Sequence, residues 1–236
     1  MVNKDLGQHW LKNRQILDEI ADLACTESDS GFCVEIGPGL GTLTSSLLKR
    51  FDKVLAVEFD SKLASNLPKS FPGKNLEVVN EDILKFDFSI IREPYAVAGN
   101  IPYYITSPII KELLTVKNKP QKIVLLMQRE VAERICSEKE SVLSLFVKNL
   151  AIPMLGPVVT AEEFEPMPKV DSRVLIMTPL DTPRYAPEIM DLIKKAFKNP
   201  RKKLKHNLPN VPEKYANLRP SDLHLDDFNE LNNLIH

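Results

Sequence analysis

With 236 residues, 43% of them hydrophobic, the chain can bury one sizeable core and has room for a small second domain. A formal net charge of −1 excludes a polycation, so any nucleic-acid affinity has to come from a local patch. No apolar run reaches the ~20 residues of a membrane helix. Cys25, Cys33 and Cys136 and the four histidines fall in no disulfide or metal spacing, which points to buried, reduced thiols, no metal and a cytosolic protein.

In chain order, residues 1–8 are polar and lack the apolar centre of a secretory signal. Ile16, Leu17, Ile20, Leu23 and Ala24 recur at helical spacing and predict a first helix. Strand-like runs then alternate with helical ones. The strands are Cys33–Ile36, Val54–Val57, Leu76–Val79, Tyr95–Ala98 and Ile123–Met127, and the helices Thr42–Arg50, Asp60–Ser70, Ser107–Val116 and Glu130–Ser137. This alternation implies a parallel sheet covered on both faces. A helix at Val142–Leu150 and strands near Met154–Val159 and Val174–Thr178 complete a doubly wound α/β domain of about seven strands, spanning residues 1–180. Residues 181–236 read as a small all-helical C-terminal domain, with helices at Ala186–Lys198, Arg201–Asn207 and Leu225–Ile235, the last started by Ser221 and Asp222.

Val34-Glu-Ile-Gly-Pro-Gly-Leu-Gly-Thr42 closes a strand and opens a helix. Gly37, Gly39 and Gly41 let the backbone turn sharply beside a ligand. Such a loop alone would serve a nicotinamide dinucleotide equally well. Glu58, at the end of the second strand, can accept both hydroxyls of a ribose, which points to a nucleoside without fixing the chemistry. Asp82, after the third strand, can accept from an adenine amino group, a habit of methyltransferases; Glu81 is adjacent and could share the role.

The most specific feature is Asn100-Ile-Pro-Tyr103, after the fourth strand. The amino lone pair of adenine is delocalised into the ring, so the nitrogen is a poor nucleophile. Two acceptors on its two N–H groups favour a pyramidal nitrogen and aim the lone pair. The Asn100 side-chain oxygen can be one acceptor and the backbone carbonyl of Ile101 or Pro102 the other. Pro102 fixes its own backbone angle and removes a competing donor. Tyr103 supplies a face for an extruded base.

With these residues in view, the chain resembles the ribosomal RNA adenine dimethyltransferases. The matching pieces are Leu6-Gly-Gln-His-Trp-Leu11, Val34–Thr42, Val57-Glu-Phe-Asp60, Asn80-Glu-Asp82, Gly99–Tyr103, Met127–Ala132 and Phe164-Glu-Pro-Met-Pro-Lys-Val-Asp-Ser172, in family order over roughly the first 180 residues. The resemblance implies a Rossmann-like class I methyltransferase fold and S-adenosylmethionine as cofactor. Its expected reaction is dimethylation of two adjacent adenosines near the end of small-subunit ribosomal RNA, on a pre-ribosomal particle and by a monomer. It further implies that His9 and Leu11 contact the cofactor, His9 standing where the family has Asn. Phe164 would face Tyr103 across the target base, although read on its own Phe164 is a core residue. Tyr104 stands where relatives often have Asn.

The segment from Pro183 to His206 carries eight Lys and Arg against Glu188 and Asp191. Lys194, Lys198, Arg201, Lys202, Lys203 and Lys205 are therefore the candidate RNA-phosphate contacts. Three other readings compete. Large-subunit ribosomal RNA methyltransferases of the antibiotic-resistance type share the glycine loop and Asn-Ile-Pro-Tyr, but the Phe164–Ser172 run and Arg201-Lys-Lys-Leu204 favour the small-subunit branch. A non-catalytic assembly factor would not need an intact Asn100–Tyr103. A nicotinamide oxidoreductase would leave that motif idle.

Overall fold

A computed structural model describes residues 9–25 and 31–235; Leu6, Gly7 and Gln8 of the first motif lie outside the described residues. The chain divides into two compact units. One comprises residues up to Ala132 together with Met154–Pro179, the other Glu133–Pro153 together with Leu180 onward.

The first unit is built on a seven-stranded sheet. After a short strand β1 (Trp10–Leu11) and helix α1 (Arg14–Ala24), strand β2 (Phe32–Ile36), helix α2 (Thr44–Leu47), β3 (Lys53–Glu58), α3 (Ser61–Asn66) and β4 (Leu76–Asn80) form one winding. A second follows as β5 (Ala96–Asn100), α4 (Thr106–Thr115) and β6 (Lys122–Gln128), leading into α5 (Arg129–Cys136) and α6 (Val142–Leu150). Strands β7 (Ala151–Val159), β8 (Phe164–Glu165) and β9 (Ser172–Pro179) come last. The order across the sheet is β4-β3-β2-β5-β6-β9-β7. Strands β2 to β6 run parallel, and β9 lies antiparallel to β6. All seven strands expected from the sequence are present. Two were missed: β1 and β8, which pair antiparallel as Trp10↔Glu165 and Leu11↔Phe164. At two residues each, they are too short to carry a periodicity.

Alternation of side chains explains why both faces of the sheet are closed. Cys33, Val54, Ala96, Val124 and Ile176 join one buried cluster with Leu17, Ile20 and Ala24 of α1. Their neighbours Val34, Leu55, Val97, Ile123 and Met177 point the other way and are equally buried. Strands apolar on both sides are the signature of a parallel sheet flanked by helices. Asn13 and Asp60 start α1 and α3 by accepting backbone N–H groups with their side chains, so Asp60 of the Val57–Asp60 motif acts as a helix cap.

In the second unit, α6 packs with α7 (Glu188–Ala196) and α9 (Leu225–Ile235) around a core of Leu145, Ile193, Leu204, Phe228 and Leu231. Residues 133–153, assigned from the sequence to the first domain, thus belong with the C-terminal helices. A short helix α8 (Glu213–Ala216) was not foreseen. The helix expected over Arg201–Asn207 is a single 3-10 turn at Leu204–His206, because Leu204 is the one buried side chain among exposed basic ones and no apolar stripe exists. Ser221 and Asp222 do not start α9 either: they sit in a 3-10 turn, Pro220–Asp222. Among the described residues no disulfide forms: Cys33 is buried, and Cys25 and Cys136 are half-buried. Among the described residues no helix is long and apolar enough to cross a membrane.

Strands β2 and β5 meet at the centre of the sheet, where the winding direction reverses. Gly99 allows that contact. A β-carbon there would lie 2.7 Å from the carbonyl oxygen of Ile36, a backbone atom that cannot swing aside. Gly99→Ala is therefore expected to destabilise the protein by about 1–3 kcal/mol. Urea unfolding checks this, and an unchanged midpoint would contradict the close approach.

Candidate active site

Open α/β sheets place ligands beyond the carboxyl ends of the strands, at the point where the strand order reverses. Here that point lies between β2 and β5, and a cavity of about 210 Å³ opens there. The glycine loop leaves β2, Glu58 ends β3, Asp82 follows β4 by two residues, and Asn100 ends β5. One edge of the sheet thus gathers side chains spread over more than sixty residues of sequence. All of Gly37, Gly39, Glu58, Asp82, Asn100, Pro102 and Tyr103 line the cavity, as do His9 and Leu11.

The loop keeps Gly37, Gly39 and Gly41 at positive φ. A β-carbon at Gly39 would lie 2.9 Å from the indole nitrogen of Trp10, so glycine is what lets the Trp10 side chain close over the loop. The buried Glu58 carboxylate accepts the Gly39 N–H at 3.0 Å on one oxygen and the Asp60 N–H at 2.8 Å on the other. Burial pushes its pKa above the usual carboxylate value, and these two N–H donors oppose that rise. Asp82 accepts the Leu84 N–H at 3.1 Å on one oxygen.

The Asn100 amide donates to the carbonyl oxygen of His9 at 2.8 Å. A carbonyl only accepts, so the group facing His9 has to be the NH₂, and the amide oxygen is turned the other way. The Ile101 N–H donates to Leu126 and anchors the loop to β6. The Pro102 carbonyl accepts the Ile105 N–H at 3.2 Å. The Tyr103 hydroxyl lies 3.0 Å from the buried Ser172 Oγ, while burial pushes the phenol pKa up. The ring stacked near Tyr103 is the His9 imidazole, with centroids 6.1 Å apart and planes 21° from parallel.

Phe164 is not where the resemblance implied. It is 3% exposed, packs with Leu11, Val159 and Val174 in the core cluster, and does not line the cavity. The β1–β8 pairing sets Phe164 opposite Leu11, and both belong to that core cluster. Ser172, at the end of the same motif, is the member that reaches the cavity wall through Tyr103. The basic side chains Lys194, Lys198, Arg201, Lys202, Lys203 and Lys205 are all exposed in the second unit. Lys194 pairs with Asp191, and both Lys203 and Lys205 donate to Asn217.

Sequence reasoning passed over Glu35, a wholly buried carboxyl on β2 that lines the cavity and accepts the Thr44 hydroxyl at 2.6 Å. Its one sequence signal is a lone acid inside an otherwise apolar central strand. Phe59, 61% exposed, and Ile83 were missed as well; both are apolar side chains at the cavity beside the two carboxylates proposed from sequence.

An open α/β sheet with a glycine loop, a buried carboxylate ending the neighbouring strand and a fixed Asn-Ile-Pro-Tyr turn at one cavity is the architecture of a methyltransferase. A model of the family described as ribosomal RNA adenine dimethylase matches residues 1–234. A Mycoplasma capricolum relative, "Ribosomal RNA small subunit methyltransferase A", is 32% identical over 100% of this chain and 98% of its own length. A protein of the same description from Rippkaea orientalis is 40% identical over 89% of this chain and 85% of its own. Among solved structures, a dimethyladenosine transferase from Plasmodium falciparum superposes with a TM-score of 0.80 at 28% identity, covering 94% of this chain and 95% of that one. The 23S rRNA methyltransferase ErmE gives 0.77 at 26% identity, covering 94% and 99%. The chain belongs to the ribosomal RNA adenine dimethylase family.

Burial raises the Glu35 pKa from 4.5 to about 8, against the opposing Thr44 hydrogen bond. The folded state then holds a proton that the unfolded state releases between pH 4.5 and about 8. Stability from this group is complete below pH 4.5 and is lost as pH rises toward 8. Melting curves of the wild type and Glu35→Gln from pH 5 to 8 check this. The wild type is expected to lose ground to the variant as pH rises; parallel curves would contradict the assignment.

Proposed function

We propose that this protein transfers methyl groups from S-adenosylmethionine to the N6 amines of adjacent adenosines in small-subunit ribosomal RNA. The observation that carries the reading is the Asn100 carboxamide, whose nitrogen is engaged by the His9 carbonyl and whose oxygen is left as an acceptor at a cavity shared with Tyr103.

The residues at the glycine loop fit the cofactor. The loop leaves open space at Gly37, where an added β-carbon would meet nothing within 4 Å. The two Glu58 oxygens each accept one backbone N–H and keep a further lone pair for a ribose hydroxyl. The Asp82 oxygen not used by Leu84 would accept from the cofactor's adenine amine, in a cavity that the apolar Phe59 and Ile83 also line. Leu11 and Gly39 would complete the wall. When bound, the cofactor supplies an electrophilic methyl carbon on a sulfonium.

On the substrate side, Asn100 Oδ1 would accept one N–H of the target amine. The backbone carbonyl of Ile101 or of Pro102, the latter also accepting the Ile105 N–H, would accept the other. Tyr103 would stack on the base, its plane held by Ser172. Attack by an amine needs no strong base, since the proton leaves only after the new bond has formed. The side chains therefore act by positioning and by drawing the lone pair out of the ring.

The exposed basic run of the second unit supports an RNA-binding role for that unit, on a pre-ribosomal particle, with phosphate contacts from Lys194, Lys198, Arg201, Lys202, Lys203 and Lys205. The similarity to ErmE keeps large-subunit RNA as the second reading.

Labelled transfer to purified small and large precursor subunits, followed by mass spectrometry, tests the substrate. Dimethyladenosine is expected in small-subunit RNA, and label in large-subunit RNA alone would overturn the reading. Asn100→Ala should lower the transfer rate on the order of 100-fold or more, as loss of a preorganised polar group does; full activity would refute the role of the amide. For the basic run, the double variant Lys202→Ala/Lys203→Ala should flatten the slope of log affinity against log salt by roughly 1–2. An unchanged slope would remove the phosphate contacts from this stretch.

A further inference from the structure

The lining of the cavity is lopsided in charge. Among the described residues that form it stand the carboxyl side chains of Glu35, Glu58, Glu81 and Asp82, and no Lys or Arg. Glu58 and Asp82 accept backbone N–H groups. Glu35 is placed differently. It is the next-to-last residue of the central strand β2, 1% exposed, between Ala56 of β3 and Ala98 of β5. From α2 the Thr44 hydroxyl donates to its Oε2 at 2.6 Å. The ionisable groups that act on it are Glu58 on β3 and, on its own strand, the Cys33 thiol; neither brings positive charge.

A buried carboxyl without a cation keeps its proton, because low-dielectric surroundings penalise the charged form. Burial pushes the Glu35 pKa up to about 8, so at neutral pH the unliganded protein carries it mostly as the acid. A cation brought within ~4–6 Å would lower that value by roughly 1–3 pH units. A neutral ligand that fills the cavity excludes water without supplying charge, and pushes the other way. The geometry of the site therefore makes the protonation of Glu35 answer to the charge of what enters.

We propose that Glu35 is the counter-charge of this cavity: protonated in the unliganded protein, it gives up its proton when an ammonium or sulfonium group enters. The carboxyl O–H bond breaks and the proton passes to the buffer, leaving a carboxylate that faces the cation. Proton release and cation binding are linked in both directions, so raising the pH tightens the cation. The inference rests on S-adenosylmethionine as the donor, which carries both an ammonium and a sulfonium. After transfer the sulfur is a neutral thioether and only the ammonium remains.

Calorimetry in buffers of different ionisation enthalpy counts the protons. Three ligands are titrated into the wild type and Glu35→Gln at about pH 7.5: S-adenosylmethionine, S-adenosylhomocysteine, which lacks the sulfonium, and methylthioadenosine, which lacks both charges. With S-adenosylmethionine the wild type is expected to release roughly 0.5–0.8 proton more than Glu35→Gln, and with methylthioadenosine no more than it. An equal excess with S-adenosylhomocysteine assigns the ammonium, and an excess with the donor alone assigns the sulfonium. From about pH 6 to 8.5 the donor affinity of the wild type should rise roughly 5- to 70-fold relative to the variant. Thr44→Val removes the hydrogen bond that favours the ionised carboxyl, so it should move that rise to higher pH; it carries the test if Glu35→Gln does not fold. No excess release with the donor, or an equal one with methylthioadenosine, would overturn the proposal, as would a Thr44→Val profile that does not move. A wild type that binds none of the three would remove the donor itself, a failure seen before any proton is counted.

Discussion

The proposed chemistry depends on one hydrogen bond: the Asn100 amide donating to the carbonyl of His9, 91 residues away in the chain. A carboxamide offers donors on one side and an acceptor on the other, and its two orientations would serve opposite purposes. An NH₂ facing an amine substrate would repel its N–H groups, whereas an oxygen accepts them. The His9 carbonyl removes the choice, because an acceptor can be faced only by the nitrogen. The backbone that supplies this carbonyl is fixed in turn by the antiparallel pairing of Trp10–Leu11 with Phe164–Glu165. Two strands of two residues each therefore determine which end of Asn100 faces the cavity.

The same economy runs through the rest of the site. The run Phe164–Ser172 sends Phe164 into the core, uses the Pro166 carbonyl to hold His9, and uses Ser172 to hold Tyr103. The glycine loop is closed by Trp10 over Gly39 and tied by its own N–H to Glu58. Each part that would touch a ligand is braced by a neighbour from a distant stretch of sequence. This is what preorganisation of a site by its supporting residues requires.

Much of this was legible in the sequence. The seven strands could be read because a parallel sheet buried on both faces gives continuous apolar runs, bounded by glycine and acidic turns. Gly37, Gly39, Glu58, Asp82, Asn100 and Tyr103 could be read because strand-end positions of such a sheet converge on one crevice. What escaped depends on contacts between segments that no local pattern encodes. The β1–β8 pairing joins residues 153 or more apart and sets Phe164 opposite Leu11. Glu35 hides in a strand whose neighbours are all apolar, and its partner Thr44 lies in the next element. The 3-10 turn at Leu204–His206 reads as a helix because basic residues favour helices, yet a lone buried leucine cannot hold one against solvent. The grouping of residues 133–153 with the C-terminal helices is likewise tertiary: α6 has an apolar face, and nothing in its sequence says which core receives it.

The most direct measurement is a crystal structure of the protein with a non-reactive cofactor analogue and an RNA carrying the target adenosine. The account predicts the adenine N6 within ~3 Å of Asn100 Oδ1 while the Asn100 nitrogen remains on the His9 carbonyl. A base bound with its amine turned away from Asn100, or an Asn100 amide released from His9 and donating toward the base, would contradict it.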